Sequence, residues 1–246
     1  AAISQTRIAY VLTGNSAIDS VSRAGLRGLS RFLESKTALE PGEPAGIDIE
    51  ITTRLNVYDA IPYPYGWGCD ENGDPDLTEP KRFVQELVDL GLNMINVTAA
   101  TPYITPHMSR PYDQAGLKGY PQPEHPLIGV HRMLSLVKEI QQTVPECVIV
   151  GTGFSWLRQF APLVSAGMVK EGWAAICGFG REAFAYPDFA NDIFASGEMN
   201  PRKVCISCSK CSELKGEARL TGCVVRDTEI YVPVYQEFLK DFRSRQ

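Results

Sequence analysis

No stretch of the 246 residues approaches the roughly 20 consecutive apolar residues of a bilayer span, so a membrane-spanning helix is not expected. Positive charge is scarce: 24 Lys and Arg stand against 29 Asp and Glu. The net charge of −5 leaves no electrostatic footprint for nucleic acid or an anionic membrane surface. The opening residues, Ala1-Ala2-Ile3-Ser4-Gln5-Thr6-Arg7, lack the charged-then-apolar layout of a secretory signal. Internal repeats and low-complexity tracts are missing too. An odd number of cysteines, seven, argues against a secreted disulfide framework. The expectation is a soluble, cytoplasmic chain with neither membrane nor nucleic acid among its partners.

What is present is ordinary for a globular chain with a substantial core: 44% apolar and 22% charged residues. The length suits one large α/β domain or two ordinary ones. Short apolar segments at residues 47–55, 92–98, 147–151 and 173–178 read as buried strands, the last weakened by its two alanines. Helical spacing follows Thr78-Glu79-Pro80, runs from Pro126 to Val144-Pro145, extends from a Ser155 cap to Gly167, and recurs at 184–194 and 230–242. Residues 7–12 have strand character and 21–39 helical spacing. Strands alternating with helices predict parallel pairing through right-handed crossovers, the pattern of doubly wound sheets and (βα)₈ barrels alike. Long loops at 56–76 and 99–125 follow strand ends, where both folds build their sites.

Four of the cysteines crowd together. Cys205, Cys208 and Cys211 are separated by two two-residue gaps, and Cys223 follows after eleven more residues. Thiolates this close can wrap a compact 4Fe–4S cluster, with the distant fourth closing the site. Structural zinc usually takes separated ligand pairs; it stays open as an alternative, as do free thiols or disulfides.

From about Ile47 onward the chain resembles the old yellow enzyme family of flavin oxidoreductases. The likeness is to its 4Fe–4S branch, which includes 2,4-dienoyl-CoA reductase and trimethylamine dehydrogenase. Thr53-Arg54-Leu55-Asn56 looks like the strand whose arginine reaches the pyrimidine edge of FMN. Val150-Gly151-Thr152-Gly153-Phe154 and Cys177-Gly178-Phe179-Gly180-Arg181 look like the loops that cradle its phosphate. Val204-Cys205-Ile206-Ser207-Cys208 and Leu220-Thr221-Gly222-Cys223-Val224-Val225 resemble the two ends of the family's cluster binder. The resemblance implies FMN held by Arg54, Thr152, Gly153, Gly180 and Arg181, and a cluster on Cys205, Cys208, Cys211 and Cys223. In the loop after the second of the four strands, Tyr103 falls where the dienoyl reductases carry a histidine acid, and His107 lies four residues on; both are candidate proton donors. The aromatic run Tyr63-Pro64-Tyr65-Gly66-Trp67 either walls a pocket or packs its own loop.

The expected architecture is therefore α/β, with parallel βα units of a TIM-type barrel at residues 46–196, strands five to eight of the family's plan. A cluster-binding tail with a terminal helix would occupy residues 197–246, and residues 1–45 stay unassigned. Four earlier strands of that plan are not seen, nor are the larger relatives' FAD and nicotinamide domains. The expectation is a fragment or subunit, completed by self-association or a complementing chain. Its implied partners are a nicotinamide or protein electron donor and a small unsaturated substrate. An electron-transfer module carrying only the cluster and a zinc-stapled binding protein remain as alternatives.

Overall fold

β-Branched residues recur in the short apolar segments, and each segment contributes a strand. The computed structural model describes residues 8–13 and 49–245 of the chain. Within them β1 (Ile8–Thr13), β2 (Ile49–Asn56), β3 (Met94–Thr98), β4 (Val148–Gly151) and β5 (Ile176–Cys177) form one five-stranded sheet. Every pairing is parallel, and the order of strands in the sheet is their order in the chain. Thr13 lies beside Arg54, Arg54 beside Asn96, Asn96 beside Val150, and Val150 beside Ile176. All five carboxyl ends thus share one edge.

Helices close the crossovers. These are α1 (Thr78–Asp89), α2 (Pro106–Ser109), α3 (Pro126–Thr143), α4 (Ala161–Lys170), α5 (Glu182–Ala185) and α6 (Phe189–Ser196), with α7 (Lys210–Gly216) and α8 (Thr228–Ser244) in the tail. Pro126 suits the first turn of α3 because its missing N–H would have no partner there. The imidazole of His125 caps that turn, accepting the Leu127 N–H at 3.2 Å. At the other end Gln141 donates to the carbonyls of Val144 and Cys147, closing the helix onto β4. The stripe Val130, Met133, Val137 and Ile140 of α3 packs with Ile95, Val97 and Ile149 of the sheet and Val84 and Leu87 of α1. The tail has a smaller core of its own, Leu214, Val224 and Phe238.

Three expectations are corrected. Ser155 is not a cap: a 3₁₀ turn, Phe154–Phe160, precedes α4, and Gly153 at φ +106° begins it. The segment 184–194 is two helices, because Pro187 has no N–H to continue a ladder. The last strand shrinks to two residues, in keeping with the poor strand propensity of its alanines. Residues 7–12 do supply a strand, at Ile8–Thr13. The helical pattern at 21–39 lies outside the described residues.

Candidate functional site

Two groups of side chains gather at the carboxyl edge. The first belongs to the strand ends. Arg54, two residues from the end of β2, is exposed. Thr98 at the end of β3 donates its hydroxyl to Leu55 O at 3.2 Å, and Thr152, just past β4, donates to Val97 O at 3.0 Å. Both hydroxyls thus stitch neighbouring strands. Gly153 takes a left-handed conformation in which an added Cβ would come 2.8 Å from Met133 Cγ. Gly180 has no atom within 4 Å of such a Cβ, so the backbone there is open to close approach. Both terminal nitrogens of Arg181 donate to Pro111 O at 3.1 Å.

Loop 99–125 covers this edge. Tyr103 is 84% exposed, whereas His107 on α2 is only 8% exposed. The His107 Nδ1 lies 2.7 Å from the Tyr120 hydroxyl. Burial holds the His107 imidazole below its ordinary pKa of 6.5, against the pull of Glu124. Glu124 is itself gripped by Arg132 through two bonds, at 2.9 and 2.5 Å, and that pairing keeps its carboxyl below the usual range. Tyr112 donates to Tyr120 O at 2.7 Å. Of the aromatic run, Trp67 packs edge-on against Phe83 of α1, while Tyr63 and Tyr65 are exposed. His125 serves as a helix cap and His131 is exposed.

The second group is the cysteine segment. Ser207 and Ser209 both take positive φ, 53° and 62°, which kinks the chain on either side of Cys208. As a result Cys205, Cys208, Cys211 and Cys223 all line one cavity, with ≈ 390 Å³ of atom-free space including the part open to solvent. Arg181, Arg226 and Lys210 are in the same wall. Ser207 N–H donates to Cys205 Sγ at 3.4 Å, and the Arg226 N–H donates to the Cys223 carbonyl at 3.3 Å. Burial pushes the Cys205 and Cys223 thiols up; Arg181 opposes it at Cys205. The buried Ser207 hydroxyl has no partner. Glu182 is 1% exposed and takes the Cys205 N–H on both oxygens at 3.1 Å. Burial raises its carboxyl pKa, and the Cys205 N–H, Arg181 and Arg226 oppose the rise. Among the described residues, no three His, Cys, Asp or Glu side chains meet tightly enough to hold a single metal ion.

Loop 99–125 is strapped to this segment. Arg110 donates to Ser212, Asp113 N–H to Ser207 O at 3.2 Å, Ser209 Oγ to Gln114 O at 2.8 Å, and Leu117 N–H to Glu213. Lys118 pairs with Glu217. Asp113 also binds Trp156 Nε1 at 2.8 Å and Arg158, reaching the turn after β4. Arg110, Tyr120 and Glu182 carry no motif: each is one of many such residues, singled out only by contacts distant in sequence.

Comparison with protein-family profiles gives no match, and comparison with curated protein sequences gives none either. Among solved structures, the fold is similar to that of 6-hydroxypseudooxynicotine amine oxidase (HisD) from Pseudomonas geniculata N1. The TM-score is 0.53 at 18% identity, over 80% of this chain and 24% of that one. The chain thus spans about a quarter of that protein's length, and the likeness is one of fold. No helix among the described residues is long and apolar enough to cross a membrane.

Proposed function

We propose that the chain is part of an FMN- and 4Fe–4S-dependent oxidoreductase. The observation that carries this reading is the gathering of four thiols around one cation-walled cavity at the carboxyl end of a parallel sheet. Strand order favours the barrel: a doubly wound sheet reverses order at a switch point, and none of the described strands does so. The fold shared with an amine oxidase agrees with redox chemistry.

The donor set suits an iron–sulfur cluster. The Cys205 thiol already accepts a backbone N–H bond, and Arg181, Arg226 and Lys210 face a group that carries negative charge once the cysteines ionise. Cys205, Cys208 and Cys211 crowd one short segment, whereas structural zinc usually takes separated ligand pairs. The strand-end residues fit a flavin in part. Exposed Arg54 can meet a ring edge that becomes negative, and Gly153 and Gly180 leave backbone N–H groups for a phosphate. The Thr152 hydroxyl and the Arg181 guanidinium have protein partners, so their share in an FMN cradle is the least supported. When bound, FMN supplies hydride transfer and the cluster single-electron transfer. Tyr103, free in solvent, is the better placed proton donor; His107, buried and bonded to Tyr120, positions its loop. A nicotinamide or protein donor and a small unsaturated substrate complete the reading.

The test is anaerobic reconstitution with iron, sulfide and FMN. About four irons per chain are expected, falling sharply in Cys208→Ser, together with flavin released on denaturation. Stoichiometric zinc without labile sulfide would refute the cluster, and absence of retained flavin would leave only an electron-transfer module.

A further inference from the structure

Arg110 stands where loop 99–125 meets the cysteine segment. Its Nη1 donates to Ser212, one residue past Cys211, and its Nε–H is buried without a partner. The charged or ionisable groups it feels most are Arg181, Cys211 and Tyr112, and none is a carboxylate. Arg181 is fastened to the next residue of the same loop, Pro111. Two guanidinium groups thus share a partly desolvated space. Their mutual repulsion and the unsatisfied N–H each disfavour this arrangement when the neighbouring thiols are neutral. Negative charge on Cys211 and the thiols around it offsets the repulsion.

Resting on the reading that the four cysteines hold a 4Fe–4S cluster, we propose that half-buried Arg110, held beside Cys211 through Ser212, is a counter-charge of that group. It is a positioning residue that raises the cluster's reduction potential and couples the cluster's charge to the loop bearing Tyr103 and His107. The direction follows from electrostatics: a fixed nearby cation favours the more negative, reduced form. Glu182 takes the Cys205 amide on both oxygens and has Arg181 and Arg226 as its own counter-charges.

The experiment is a dithionite titration of the reconstituted protein, followed by visible absorbance and electron paramagnetic resonance, for wild type, Arg110→Gln and Arg110→Lys, with iron counted in each. In Arg110→Gln the oxidised-to-reduced ratio at a fixed potential should rise about tenfold, about 59 mV for one electron, and Arg110→Lys should recover most of it. Loss of iron in Arg110→Gln but not in Arg110→Lys also supports a charge role. An unchanged potential in fully loaded Arg110→Gln overturns the proposal and leaves the cluster reading standing. Iron loss in both variants overturns it as well, since shape alone would then matter. A wild type that takes up no iron removes the cluster reading and this proposal together.

Discussion

His107 shows how a residue's surroundings outweigh its type. An imidazole in a candidate proton-donor loop invites a chemical role, yet this one is buried against Tyr120 and kept below its ordinary pKa of 6.5. The unfolded chain therefore binds a proton near that value while the folded chain resists it. Stability contributed by neutral His107 is full above about pH 6.5 and falls as pH drops below it. Glu124, whose carboxyl is held low by Arg132, loses its contribution only further down, below about 4.5 where the unfolded carboxyl protonates. Urea unfolding should therefore show stability declining from pH 7.5 to 5, with a shallower decline in His107→Gln. Equal slopes for the two proteins would mean that the imidazole is not the titrating group.

Among the elements, the turn after β4 is the most tightly specified. Gly153 combines φ +106° with a Cβ position 2.8 Å from Met133 Cγ, so Gly153→Ala incurs both backbone strain and a collision. Backbone strain of this kind costs about 1–3 kcal/mol, and chemical denaturation should reveal a loss in at least that range. Adding Met133→Ala should recover only the collision's part. The regular elements were legible in sequence because their signals are local: the stripe of α3, Pro126 at its start, and the β-branched strands. The break at Tyr186-Pro187 and the 3₁₀ turn were missed because an apolar spacing continues across both. The four cysteines were legible as a spacing. What surrounds them was not: Arg181 in the cavity wall, Glu182 on the Cys205 amide and Arg110 on Ser212 are brought there by contacts that only the fold creates. Arg181 illustrates the gap, since a glycine-rich loop points to phosphate while the guanidinium turns to Pro111 and the thiols.

On the scale of the whole molecule, the sheet core and the tail core are separate, and polar contacts between loop 99–125 and the cysteine segment help to join them. Metal held by thiols on the tail should stabilise that junction selectively, because binding energy becomes folding energy for whatever the ligands organise. Hydrogen exchange should show iron loading slowing the amides of Asp113, Leu117 and residues 205–226 by tenfold or more, with little change at Ile95 and Ile149. Uniform slowing would mean that the two cores open as one unit.

Chain order in the sheet has a kinetic counterpart. Each described strand pairs with its immediate predecessor, so a growing sheet closes only one crossover at a time, with modest loop entropy at each step. The strap onto the tail differs: its bonds join residues 94 to 102 positions apart. The cysteine segment is therefore expected to dock last, onto an already formed edge, and its thiols stay reactive and unshielded for longer than any strand stays unpaired.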